Sequence, residues 1–482
     1  MLFTEPLFLF LFLPVLLALY YGLPRRLRNP LLLAASLLFY AFGAGGSTPV
    51  LLASILLNYL CGAALARPAS GCGRKLVLWL GLAGNLALLG SFKYAGFFVN
   101  NLNLVAKAAG LAPFGPPALA LPLGVSFFTF MGMSYLFDVY RRQAEPQSRL
   151  DNFALYMALF PHLIAGPIVR LPEIARELVG RRVGMDDFAE GVRRFVVGLG
   201  KKAIIADTLA RAVDPIFAVP TEQLTAGVAW LGIACYTLQI YFDFSGYSDM
   251  AVGLARMFGF RFPENFNYPY VAQSVTDFWR RWHITLSTWF RDYVFFPLSV
   301  GRWRRRLYLN LLAVFLLCGL WHGAGWGFVI WGLYHGLFLV FERAGLAAWL
   351  GRRPAFVRHA YTLLVVMLGW SFFRTASGRR GAEFLAALGG FARGTGAEQH
   401  AGMYLNAEVL LALAAGAVGC LPVVPFLRRR YETWNERRAG AAVLLLDSGL
   451  RLARSAALGF IFLASAALSA ASTYRPFIYF RF

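Results

Sequence analysis

The feature that most limits what this chain can fold into is a series of apolar segments separated by short basic runs. They fall at about 3–21, 29–43, 49–66, 76–92, 94–110, 119–139, 152–169, 203–219, 224–254, 307–321, 324–342, 360–373, 406–427 and 455–471. A helix needs roughly 20 predominantly apolar residues to cross a bilayer, and inside lipid every backbone polar group must be satisfied by the segment itself. The expected fold is an all-α polytopic membrane protein, with about 10–13 transmembrane helices. Several segments are short or carry Pro and Gly, such as Pro161, Gly166 and Pro167, so re-entrant and interfacial helices are expected as well. Residues 1–482 read as a single integral membrane domain, without repeats or a soluble appendage.

Composition supports this reading. The chain is 59% apolar and 15% charged, against about 45–50% and about 25% in soluble domains, and it is too hydrophobic to be disordered. Lys and Arg exceed Asp and Glu, 46 to 24, giving a formal charge of +22. Because the cations sit between apolar segments, they suit cytoplasmic loops and anionic membrane lipids, not nucleic acid. The five scattered cysteines form neither a disulfide framework nor a zinc motif. The apolar start, without a basic region or cleavage site, reads as a retained span.

The basic runs Arg25–Arg28, Arg67–Lys75, Arg141–Arg149, Arg170–Lys202, Arg256–Arg306 and Arg428–Arg438 should share the cytoplasmic side. Parity then fails twice. Three apolar segments lie between Arg74 and Arg141, and one lies between Arg149 and Arg170. The segments at 94–110 and 152–169 are therefore expected to be re-entrant or interfacial. Residues 185–202 and 276–293 mix aromatic and aliphatic residues with arginines and lysines at helical spacing, which predicts helices lying in the headgroup layer.

Ionisable residues at membrane depth are costly, so they concentrate the functional information. His322, in Leu320-Trp321-His322-Gly323, lies between two strongly apolar segments. A neutral imidazole there can take a proton from a hydroxyl that attacks a thioester; a plain interhelical hydrogen bond is the competing reading. His283, on the stretch Phe278-Trp279-Arg280-Arg281-Trp282, reaches His322 only if that stretch packs beneath the break. Arg280 and Arg281, beside Trp279, can hold a phosphate-bearing donor or contact lipid phosphate. His335 is thirteen residues from His322, off its face in a continuous helix, and reads as structural. Asp243 and Asp249, near Tyr241 in a long apolar run, must face the interior, either lining a tunnel or holding helices together. No metal motif, P-loop or GxSxG elbow occurs.

Two stretches, FWRRWHITLSTWFRDYVFFPL (278–298) and LWHGAGWGFVIWGLYHG (320–336), resemble the membrane-bound O-acyltransferase family. FLFLFLPVLLALYY (8–21), PLGVSFFTF (122–130), FPHLIAGPIVR (160–170), QIYFDFSGYSDMA (239–251), WSFFR (370–374) and RPFIYFRF (475–482) support the likeness along the whole chain. The resemblance implies a many-helix fold with a central tunnel, His322 as the catalytic histidine and His283 as the second polar position. It implies acetyl-CoA as cytoplasmic co-substrate, with no permanently bound cofactor. It further implies a bacterial inner-membrane setting and acetyl passage across the membrane to a periplasmic SGNH-type acetyltransferase, alongside a polymer synthase complex. The modified polymer would be an alginate-like exopolysaccharide or another envelope glycan. The competing expectation is a transporter or flippase, motivated by the broken helices and the buried Asp243 and Asp249.

Overall fold

Proline, glycine and wide π-turns cut the apolar runs of this chain into helices of uneven length. The computed structural model describes residues 1–67, 71–115, 119–299, 306–392, 394–435 and 441–471, and every regular element among them is helical. The stretches Arg25–Ala66, Gly71–Ala108, Ala355–Thr375 and Leu446–Ala471 are long and apolar enough to cross a membrane. The bent pair Ala407–Gly419 and Val423–Trp434 makes a fifth if its 52° break is counted within one span. The first stretch is itself divided. Gly45 adopts φ +52° between the helices Arg28–Ala44 and Thr48–Ala66, a conformation glycine reaches without a Cβ clash. Among the described residues, uninterrupted spans are thus fewer than the 10–13 expected, and shorter apolar helices such as Leu307–His322 make up much of the remainder. Large apolar side chains including Phe10, Leu38, Trp79 and Leu411 point outward, as they can where the surroundings are as apolar as the side chain.

The segment 94–110 is not re-entrant. It continues the preceding helix through a π-turn at Gly90–Tyr94, so that Gly71–Ala108 is one helical stretch. Two helical units, Gly71–Ala108 and Val125–Tyr140, then lie between Arg74 and Arg141, and the parity argument closes there. The segment 152–169 does break as expected. Leu150–Ala158 gives way to the single turn Phe160–Leu163, and then to irregular chain in which Gly166 takes φ +108°. Nearly all of it is buried in protein, the condition under which non-helical backbone is tolerated at membrane depth.

The centre of the fold is Ala226–Met257, a 32-residue helix capped by the Thr225 hydroxyl and buried over most of its circumference. It packs against Met185–Gly200 through facing glycines, where a Cβ on Gly198 or Gly253 would press on the backbone oxygen of Gly246 or Gly191. Small residues of this kind let two helix backbones approach closely.

The two amphipathic stretches are corrected by the same packing. Met185–Gly200 turns Gly191, Phe195, Val196 and Leu199 into the core instead of into headgroups. Residues 276–293 fold as two short helices, Val275–Arg281 and Ile284–Phe290, whose Trp279, Trp289 and Phe290 are buried together with the intervening Trp282. Aromatic residues next to arginine signalled a protein interior here because neighbouring helices cover them. The terminal motif RPFIYFRF (475–482) lies outside the described residues, as do parts of the runs Arg67–Lys75, Arg256–Arg306 and Arg428–Arg438.

Candidate active site

Leu307–His322 and Trp326–Phe341 fold back on each other around an extended turn, in which Gly323 and Gly325 have φ of −168° and −162°. The close pairing depends on missing side chains. A Cβ on Gly319 would strike the carbonyl oxygen of Phe328, and one on Gly332 would strike that of Phe315. His322 is the last residue of its helix and is 3% exposed. Its Nδ1 lies 2.7 Å from the Cys318 carbonyl oxygen, an acceptor only, so Nδ1 carries the proton and Nε2 is left as the basic nitrogen. Trp321 and Trp331 lie at ring-centroid distances of 4.9 Å and Phe373 at 5.3 Å, wrapping the imidazole in aromatic surface.

His283 sits at the joint between Val275–Arg281 and Ile284–Phe290 with φ +43° and ψ +55°. A left-handed conformation is uncommon outside glycine and is held by surrounding structure. Here that structure is Asn265, 1% exposed. Its Oδ1 lies 3.1 Å from His283 Nδ1 and accepts from the Thr285 hydroxyl at 2.9 Å. Its Nδ2 donates to the Ser248 hydroxyl at 3.1 Å. With Asn265 accepting at Nδ1, the Nε2 of His283 is again the basic nitrogen. The two histidine rings are 6.5 Å apart, centroid to centroid.

His335 joins the same cluster. Its apparent misplacement off the face of His322 assumed one continuous helix, and the turn at 323–325 removes that assumption. His335 is fully buried, 5.2 Å from Trp331 and 5.3 Å from Trp279 between ring centroids. Trp279 therefore belongs with the histidines, whereas its neighbours do not. Arg280 points outward, and Arg281 donates to Asp277 at 2.9 Å and to the Asn267 carbonyl at 3.3 Å. The three residues proposed together for a phosphate-bearing donor thus separate.

Asp243 and Asp249 are ion-paired. Arg194 and Lys201 donate to Asp249 at 2.7 and 2.6 Å, and Lys202 lies 2.7 Å from Asp243 and 2.5 Å from Asp207. These pairs tie Met185–Gly200 and the turn after it to the central helix. Both carboxylates thus hold helices together through ion pairs. Tyr241, buried beside them, packs on Phe266 and Tyr270. Trp321 packs on Phe127 and Phe130 and helps line a cavity.

That cavity, of about 130 Å³, is bounded by His322, Lys93, Ser126 and the 121–125 loop among others. The Lys93 ammonium donates to Ser126 Oγ at 3.0 Å and to the Trp321 and His322 carbonyls at 2.5 and 3.2 Å. It therefore caps the C-terminal, partially negative end of the helix that carries His322. Neither Lys93 nor Asn265 was picked out from the sequence. Lys93 falls in the gap between two apolar segments that prove to be one helix, and a lone cation interrupting so long an apolar run was the available signal. Asn265 lies in a polar loop and is recognisable only from its tertiary partners. Among the described residues, no three His, Cys, Asp or Glu side chains gather closely enough to hold a metal ion.

Residues 108–374 match the model of the membrane-bound O-acyltransferase family. A Pseudomonas putida protein named Probable alginate O-acetylase is 40% identical, the alignment covering 100% of both chains. The peptidoglycan O-acetyltransferase of Helicobacter pylori is 37% identical over 78% of this chain and 77% of its own. The teichoic acid D-alanyltransferase of Bacillus subtilis is 30% identical over 45% of this chain and 58% of its own.

Proposed function

The chain belongs to the membrane-bound O-acyltransferase family, and from that premise we propose that it moves acetyl from a cytoplasmic thioester, acetyl-CoA, toward a glycan outside the bacterial inner membrane. Acyl transfer to a polysaccharide is supported by relatives named for alginate, peptidoglycan and teichoic acid. An alginate-like polymer is favoured by the full-length match. The observation that carries the reading is the position of His322, buried at a helix end, its Nδ1 fixed by the Cys318 carbonyl and its side facing a small cavity. A cavity of about 130 Å³ suits a short acyl group better than a fatty one.

In this mechanism His322 Nε2 takes the proton of an acceptor hydroxyl as that oxygen forms its bond to the thioester carbonyl carbon. The carbon–sulfur bond then breaks and the thiolate leaves with the proton from His322. The acceptor hydroxyl belongs to a periplasmic SGNH-type acetyltransferase, which passes acetyl on to the polymer beside its synthase. His283, held by Asn265, orients the reacting groups from the facing side. A general base of this kind contributes about 10²–10⁴-fold.

The test is thiol release from acetyl-CoA by the full chain in proteoliposomes with the partner enzyme present. His322→Ala is expected to abolish release coupled to acetylation while insertion stays normal. Coupled release at the wild-type rate overturns the reading.

A further inference from the structure

The lining of the cavity beside His322 includes two further polar side chains, Lys93 and Ser126. Ser126 is the second residue of Val125–Tyr140 and is 8% exposed. The preceding loop enters this helix through Gly124, at φ +72°, where a Cβ would press on the carbonyl oxygen of Leu163. The helix start is thereby seated against the buried break that follows Ala158, which fixes where Ser126 stands on the cavity wall.

The hydrogen bonds decide which way its hydroxyl faces. An ammonium has three N–H donors and no acceptor. Those of Lys93 go to Ser126 Oγ at 3.0 Å and to the carbonyls of Trp321 and His322 at 2.5 and 3.2 Å. Lys93 is therefore held as a cation, with no lone pair to take a proton from Ser126. The two are not a nucleophile and its base. Ser126 Oγ instead accepts from the ammonium, and its own O–H is left to donate. Among the described residues, nothing is paired with that proton.

Charge points the same way. The three partners of Lys93 are all neutral, and an uncompensated cation at membrane depth is costly. The N–H groups of the first helical turn, that of Ser126 included, add partial positive charge. A cation, a free hydroxyl proton and a helix start thus converge on one cavity, and their common complement is an oxygen that turns negative. Acyl transfer makes such an oxygen. As the acceptor oxygen gives its proton to His322 and bonds to the thioester carbon, the carbonyl electron pair moves onto the carbonyl oxygen. It returns when the carbon–sulfur bond breaks. A cavity of about 130 Å³ keeps that oxygen close to its lining groups.

We propose that Ser126 is a catalytic residue of this reaction, its hydroxyl donating to the carbonyl oxygen of the acetyl thioester as negative charge builds there. Lys93 is the positioning residue that fixes and polarises it. The proposal rests on the acetyl-transfer reading, and it supplies the group that stabilises the charge created by the action of His322.

The experiment measures coupled thiol release from acetyl-CoA by the full chain in proteoliposomes with the partner enzyme. Removing one such donor lowers kcat by about 10²–10³-fold, and Ser126→Ala should do so with KM for acetyl-CoA and the thermal midpoint unchanged. Ser126→Cys, of similar shape but a weak donor, should resemble Ser126→Ala, whereas Ser126→Thr, which keeps the hydroxyl, should recover most of the rate. A wild-type kcat in Ser126→Ala or Ser126→Cys overturns the proposal, as does a loss confined to KM or one that only follows the thermal midpoint. Radiolabelled acetyl that stays bound to the wild-type chain and not to Ser126→Ala would make Ser126 a covalent carrier, and overturns it too. His322→Ala is measured in parallel. If it releases thiol at the wild-type rate, the acetyl-transfer reading itself fails; if it is inactive while Ser126→Ala is not, only the role of Ser126 fails.

Discussion

The rings of His322 and His283 lie 6.5 Å apart and nearly perpendicular, at 80°, although 39 residues separate them in the chain. Each is fixed through Nδ1, one by the Cys318 carbonyl and the other by the Asn265 side chain. The two basic nitrogens thus come from different helices with independent anchors. His322→Ala removes the group assigned as base and should lower acyl transfer by about 10²–10⁴-fold. His283→Ala should lower it by the same amount or less. Rates of thiol release from matched amounts of membrane-inserted protein decide this, and a His283→Ala variant with full activity would remove His283 from the site.

Asn265 gives a sharper test of how His283 acts. Its Oδ1 serves both His283 and Thr285, so Asn265→Ala leaves buried partners unsatisfied, at a cost of about 1–3 kcal/mol. If its role is to hold His283, Asn265→Ala and His283→Ala should each reduce kcat, and the double variant should be no slower than the worse single one. Additive losses in a double-mutant cycle would show that the two act separately.

His322 was legible because a histidine between two apolar segments is conspicuous, and the break at residues 152–169 was legible from Pro161, Gly166 and Pro167. The place of His335 beside Trp331 and Trp279 was not legible, because thirteen residues of assumed helix conceal a turn. Asn265 could not be read at all, and of Lys93 the sequence shows only a cation within an apolar run. Their roles consist of partners up to 229 positions away, and local pattern carries no information about such pairings. Trp279, Arg280 and Arg281 were read as one group because they are adjacent, yet consecutive helix positions point in different directions.

Lys93 donates to the last two carbonyls of the His322 helix, a placement that stabilises a helix end by about 0.3–2 kcal/mol. Lys93→Met should therefore reduce kcat roughly tenfold while the protein remains folded, with KM for the thioester changed little. Lys93→Arg should recover part of the loss, because it restores a cation near those carbonyls. A Lys93→Met variant with unchanged kcat would confine this lysine to a structural contact.

The helix pairing beneath the site depends on Gly319 and Gly332. A methyl group at either position meets backbone carbonyl oxygen, which cannot rotate away as a side chain can. Overpacking of this kind costs about 1–3 kcal/mol. Gly332→Ala should lower the thermal midpoint in detergent and reduce activity together, whereas Gly22→Ala, with open space around it, should do neither.

Asp243 and Lys202 offer the last test, because it separates a structural network from a transport path. Both are buried, and they lie 2.7 Å apart. Removing one partner of a buried pair leaves an uncompensated charge and costs about 3–5 kcal/mol, whereas replacing the pair with apolar groups is often neutral. Lys202 also holds Asp207, so Lys202→Met, which strands two carboxylates, should destabilise the chain strongly, and Asp243→Asn less. A double variant, Asp243→Asn with Lys202→Met, should recover part of the Lys202→Met loss, with Asp207 left without its partner as the remaining cost. Thermal unfolding of the single and double variants, read beside acyl transfer, decides between the two roles. If Asp243 served a path for ions or substrate, activity would stay low in the double variant however well its stability recovered.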